Sequence, residues 1–238
     1  MKTYAFVFAR GGSKGVPGKN IRELASKPLL AHTIDLIKKI KAVNKIFVST
    51  EDQAIARIAA EHEVSVIKRP PELARDDTPE WLAWKHAVEW LEDRGDSFDV
   101  FLSVPTTSPF RNIEDIRTAL RCLDDNTDMV VTMTEASRSP WYNMVKKTDN
   151  GFIKVLMQND TTPHRRQDSP QIYDLTTVAY VTRPKFLKSA KQMFEGRVKG
   201  VEIPLKRALD IDTELDFEIA ELLMHKLERE MKERTNAG

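Results

Sequence analysis

The chain has 238 residues, 41% hydrophobic and 31% charged, with 37 Lys and Arg against 36 Asp and Glu. That length supports one large core, or a core with a small appendage. A net charge of +1 supplies no global field for nucleic acid or an anionic membrane. A single cysteine, Cys122, excludes an internal disulfide and a thiolate metal cluster. The apolar run YAFVFA is too short for a signal-peptide core, and no window reaches the length of a membrane span. The expected address is a reducing cytoplasm.

In chain order, Tyr4–Phe8 reads as a strand, Leu29–Lys41 as a helix and Ile46–Thr50 as a strand. Asp52–Glu61 follows as a helix, Val64–Lys68 as a strand, Trp81–Asp93 as a helix and Val100–Val104 as a strand. Ile113–Leu123 (helix) and Met129–Thr134 (strand) complete the alternation. Continuous apolar strands alternating with helices predict an α/β fold. Its sheet is mostly parallel and twisted, with helices on both faces. Residues 136–175 break the rhythm with a DNG turn at Asp149–Gly151 and read as an inserted lobe or dimerisation arm within one domain spanning 1–238. Strand character returns at Thr177–Val181 and Gly200–Ile203. From Asp212 a long amphipathic helix is expected, with Leu215, Ile219, Leu222, Leu223 and Leu227 on one face and a solvated charged end. Trp81, Trp84 and Trp90 share one helix and read as core. The five histidines form no ligand spacing.

The most informative stretch follows the first strand. Residues 9–20, ARGGSKGVPGKN, hold four of the nine glycines, with Arg10, Lys14 and Lys19, and no acid precedes Glu23. Glycines let backbone N–H groups approach phosphate oxygens, and the cations supply charge the backbone lacks. Neither a Walker A loop nor a dinucleotide GxGxxG is present. Asp210 and Asp212 alternate in the extended LDID, so both point one way. Two adjacent carboxylates repel unless a cation holds them, and hard oxygens suit Mg²⁺. Asp216 is either a carboxylate orienting that pair or a helix N-terminal charge.

The first loop resembles the signature of the acylneuraminate (sialic acid) cytidylyltransferase family. Three further segments extend the resemblance: VIKRPPEL around Arg69, VPTTSPFR at 104–111, and HRRQDSPQIYDLTTVAY at 164–180. The resemblance implies a nucleotide-diphospho-sugar transferase-like fold and transfer of a cytidylyl group from CTP to a sialic-acid-like 2-keto sugar acid, giving a CMP-sugar and pyrophosphate. It implies nucleotide contacts from Arg10, Gly11, Gly12, Ser13, Lys19, Asn20 and Arg69. Arg10, Lys19 and Asp212 would act in catalysis, and Asp210 and Asp212 would hold Mg²⁺. Sugar contacts fall to Thr107, Ser108, Arg165, Arg166, Gln167 and Tyr173, with Arg165 or Arg166 on the sugar carboxylate, since guanidinium pairs with carboxylate at two points. A homodimer is implied, with neither nucleic acid nor membrane as partner. The chain departs from the family at Pro105, where a glutamine is usual, and at Thr176–Thr177, which replace Asn-Gly. The sugar's identity therefore stays open, as does the general base, for which Asp212 or metal-bound water is available. The alternatives are another sugar nucleotidyltransferase with a different NTP or sugar, and a non-catalytic nucleotide-binding regulator.

Overall fold

The computed structural model describes residues 1–157 and 170–236, with side chains to residue 233. Strand β1 (Thr3–Phe8) opens the chain, and a long loop leads to a two-stranded hairpin, β2 (Glu23–Leu24) and β3 (Lys27–Pro28). Then come α1 (Leu29–Lys38), β4 (Val43–Thr50), α2 (Gln53–Glu61), β5 (Ser65–Lys68), α3 (Glu80–Glu92), β6 (Val100–Ser103), α4 (Ile113–Cys122) and β7 (Met129–Glu135). A second hairpin, β8 (Val145–Lys147) and β9 (Ile153–Val155), lies in the segment expected as a lobe. The chain continues with β10 (Tyr173–Thr182), α5 (Pro184–Ser189), β11 (Val198–Glu202) and α6 (Glu214–Asn236).

Seven strands form one sheet in the order β11-β7-β10-β6-β1-β4-β5. The block β6-β1-β4-β5 is parallel, β11 is parallel to β7, and β10 alone runs antiparallel to both neighbours. The alternating side chains of β1 show why helices cover both faces. Ala5 and Val7 pack with Leu30 and Ile34 of α1, Ile55 of α2 and Ile116 of α4. Tyr4 and Phe6 pack with Trp81, Trp84 and Leu91 of α3 and Leu187 of α5. Trp81 and Trp84 are core, as expected, and each apolar side chain so buried contributes about 1.5–3 kcal/mol.

A third, smaller cluster positions the site. Val16, Leu24 and Leu29 join Ile211, Phe217 and Ala220, fastening the first loop and hairpin to the end of the chain. Arg22 reinforces it, with its guanidinium 3.8 Å above the Phe217 ring and an ion pair to Glu214. Arg207 grips the buried Asp115 of α4 through two nitrogens, at 2.9 and 3.1 Å, fixing the chain just before Asp210.

Helix α6 carries its expected apolar row on the side away from the body. The row Leu215, Ile219, Leu222, Leu223 and Leu227 is exposed, and Phe217, Ala220 and Met224 face the body instead. Among the described residues, no helix is long and apolar enough to cross a membrane.

Candidate active site

Parallel strands send their loops out at the carboxyl edge of the sheet, where ligands of such folds bind. Residues after β1, β4, β5 and β6 meet there, and the segment after β11 returns to them. The loop after β1 turns on itself through Lys19 N–H to the Val16 carbonyl and Arg22 N–H to the Gly18 carbonyl. Gly18 has φ +65°, a left-handed conformation that favours glycine. Gly15 lies so close to the returning chain that a Cβ there would sit 1.9 Å from the Asp212 carbonyl oxygen. Lys19 Nζ donates to the Ile211 carbonyl at 2.5 Å and pairs with Asp212 at 3.2 Å. The Ile211 N–H donates to the Thr107 carbonyl, so three distant segments are stitched together.

A recess of about 370 Å³ opens between them. It brings together Arg10, Ser13, Lys19, Asn20, Thr107, Asp210 and Asp212 of the expected residues, with Lys14 and Pro105 beside them. A second recess, about 270 Å³, shares Phe8, Arg10 and Glu80 with the first and adds Arg69, Asp76 and Thr78.

Much of the polar capacity here is already engaged. Asp76 bridges the two loop cations, at 2.7 Å from both Arg10 and Lys14, and Lys14 chiefly holds its pKa below the usual carboxylate range. Such exposed pairs are weak and open to displacement by a polyphosphate. Asn20 is buried, its amide donating to the Arg10 carbonyl and accepting from Thr106 Oγ1, so it pins the loop to the segment after β6. Arg69 is buried, donating to Ser49 with its guanidinium 5.6 Å from the Phe8 ring, and desolvation lowers its pKa.

Asp210 is half-buried. Thr177 Oγ1 donates to it at 3.0 Å and lies 2.9 Å from Thr107 Oγ1. Desolvation, with the neighbouring charge of Asp212, raises the Asp210 pKa. Behind it Arg111 is buried, donating to the Pro105 and Thr177 carbonyls and to Thr33 Oγ1. Glu80 shows its open surface to both recesses, yet protein crowds its other sides and desolvation raises its pKa. Trp84 opposes that shift, although its buried indole N–H makes no hydrogen bond of proper geometry.

Several expected contacts fall elsewhere. The Gly11 N–H donates to Glu51 Oε1 at 2.7 Å, so this amide is engaged within the protein rather than offered to a phosphate. Gly12 faces open space and lines neither recess. Ser108 is fully buried, with its hydroxyl 2.7 Å from Thr177 Oγ1; it supports the wall instead of forming it. Tyr173 pairs with Glu135 at the far end of β10, outside both recesses. Asp216 accepts from the Thr213 N–H and hydroxyl at the start of the last helix and from the Asp212 N–H, so it serves the helix terminus and touches the aspartate turn as well. Arg165, Arg166 and Gln167 lie outside the described residues.

Sequence reasoning missed Glu80, Tyr180 and Phe8. Tyr180 packs against Trp84 with the rings tilted and lines the recess, and burial pushes its hydroxyl up to about 12. Thr177 and Tyr180 are three apart, so simple strand alternation would send them to opposite faces. A register shift between Thr176 and Tyr180 brings both to the recess.

Asp210 and Asp212 offer the oxygen ligands that suit Mg²⁺, an ion often held by one or two carboxylates with waters and substrate phosphates. Desolvation first, and the charge of Asp212 after it, disfavour the ionised form of Asp210, which a cation at this place would offset. Among the described residues no group of three or more His, Cys, Asp or Glu gathers as a closed metal cage.

The chain is similar to known proteins over most of its length. The chain is 32% identical over 231 residues to the Campylobacter coli protein named post-translational flagellin modification protein B, covering 95% of this chain and 97% of that one. It is 31% identical over 230 residues to the CMP-N,N'-diacetyllegionaminic acid synthase of Legionella pneumophila, covering 94% and 97%. Against the N-acylneuraminate cytidylyltransferase of Streptococcus agalactiae it is 30% identical over 220 residues, which is 91% of this chain and about half (52%) of that protein. The fold matches a solved CMP:2-keto-3-deoxy-manno-octonic acid synthetase complexed with CTP, with a TM-score of 0.71 at 16% identity over 95% and 99% of the two chains. The cytidylyltransferase family profile covers residues 4–234, and the chain belongs to that family.

Proposed function

We propose that this protein transfers the cytidylyl group of CTP to a sialic-acid-like 2-keto sugar acid, releasing pyrophosphate. One observation carries the reading: the cationic loop bearing Lys19 and the turn bearing Asp210 and Asp212 meet and line one recess together. The names of the Legionella and streptococcal relatives point to acidic keto sugars.

In this reading the sugar's anomeric hydroxyl attacks the α-phosphorus, and pyrophosphate leaves from the opposite side. Lys19 and Arg10 lie where they would offset charge on the phosphate oxygens, with Ser13 and Gly15 beside them. Preorganised groups of this kind supply most of the rate in phosphoryl-type transfers. Asp210 and Asp212 would hold Mg²⁺, which when bound neutralises phosphate charge. Asp212, or water held by the metal, would take the hydroxyl proton, whereas Tyr180, at about 12, keeps its own at neutral pH.

The second recess suits the base. Phe8 supplies an aromatic wall, Arg69 a donor and Glu80 a carboxyl able to accept from an exocyclic amine. The sugar carboxylate falls to Arg165 or Arg166. The molecule works as a cytoplasmic homodimer of single-domain subunits, with the β8–β9 lobe as the dimerisation arm.

The test is pyrophosphate release by the purified protein with each of four NTPs and a panel of eight- and nine-carbon keto-sugar acids. CTP alone should support turnover, with one acid strongly preferred. Turnover with UTP in preference to CTP, or none with any acid, overturns the proposal.

A further inference from the structure

The last helix leaves its longest apolar row uncovered. Leu222 is 71% exposed and Leu215 64%, with Leu227, Leu223 and Ile219 between 43% and 37%. At the helical repeat these five fall within an arc of about 140°. The body of the protein is held by Phe217, Ala220 and Met224 instead. Contiguous apolar surface of this kind marks an interaction site.

The row is complementary to itself. About a two-fold axis at Glu221, an antiparallel pair of α6 helices sets Leu215 opposite Leu227 and Ile219 opposite Leu223. Leu222, one residue from the axis, meets its own symmetry mate. The charges agree with the same register. Residues 214–224 carry Glu214, Asp216, Glu218 and Glu221 and no base. Lys226 lies within the apolar arc beyond them, and the antiparallel pair brings it opposite Asp216, with Glu218 within the next turn. A parallel pair would press Lys226 against its mate, and a buried lysine in such a seam selects register and orientation.

We propose that two copies of this chain associate through α6, antiparallel about Glu221. This contact is separate from the β8–β9 arm and does not depend on the catalytic reading.

Disulfide trapping tests it. In a Cys122→Ser background, Leu222→Cys should oxidise to a covalent dimer in most of the protein. Leu227→Cys should not link to itself, because twelve residues of helical rise separate the two thiols by about 18 Å. Mixing Leu215→Cys with Leu227→Cys should give the mixed dimer. Phe194→Cys, 61% exposed and off the helix, reports random collision. Linking of Leu222→Cys no faster than Phe194→Cys overturns the proposal, as does self-linking of Leu227→Cys. Light scattering of Leu222→Lys in the otherwise native chain gives a second reading. A halved mass supports the pairing, and an unchanged mass overturns it.

Discussion

At the carboxyl edge of the sheet, polar groups are engaged with one another; along the outer face of α6, apolar groups stand in water. Asp76 holds Arg10 and Lys14, Glu51 holds the Gly11 amide, and Lys19 spans to Asp212. Leu215 and Leu222 have no such cover. In the proposed reading the edge is a place where CTP exchanges one set of partners for another. The helix face offers area without directional groups, which suits a constitutive contact between proteins.

The largest expected effect probes the edge. Lys19→Ala should lower turnover about a hundredfold to a thousandfold, as loss of one preorganised charge typically does. Cooperative unfolding should persist, since the third cluster stays intact. Near-normal turnover in that variant would remove the contrast between an engaged edge and a passive face.

Asp212→Asn comes next. Its carboxylate is the exposed member of the pair and also the partner of Lys19. The Mg²⁺ concentration for half-maximal rate should rise several-fold, in a titration at fixed CTP. An unchanged titration curve means that Asp212 serves Lys19 alone.

The smallest effect is on stability. Glu80 binds its proton more tightly in the folded chain than in the unfolded one, because its pKa is raised. The stability this contributes is fully present below the unfolded pKa and is lost as pH rises through the folded pKa. Glu80→Gln should therefore match the native Tm at acid pH and slightly exceed it at neutral pH. A Tm difference independent of pH would show that Glu80 is not strained by its surroundings.

The two regions also differ in how far residue order alone describes them. The strand–helix alternation led to the right α/β class because β1, β6 and the second half of β4 are buried on both faces and so read as short, largely apolar runs. The antiparallel course of β10 was hidden, since strand direction leaves no mark on residue type. Arg10, Lys19, Asp210 and Asp212 stood out because charges next to glycines or to each other need a reason. Ser108 was misplaced because a hydroxyl reads alike whether it lines a wall or supports one. Glu80 was missed because an acid in the first turn of a helix already has an ordinary explanation. For α6, periodicity identified the helix and its apolar row, but an amphipathic pattern names the face that wants cover and not the molecule that provides it.

The contact between Gly15 and the Asp212 carbonyl has a consequence for how the protein matures. The backbone segments that meet there belong to opposite ends of the chain; Lys19 and Ile211, their neighbours, are 192 residues apart. Joining them closes a loop of nearly the whole chain, and non-local contacts of this kind carry a loop-closure entropy that slows folding. A chain ending before residue 208 would hold the residues of all eleven strands yet lack Asp210, Asp212 and the carbonyl that Lys19 grips.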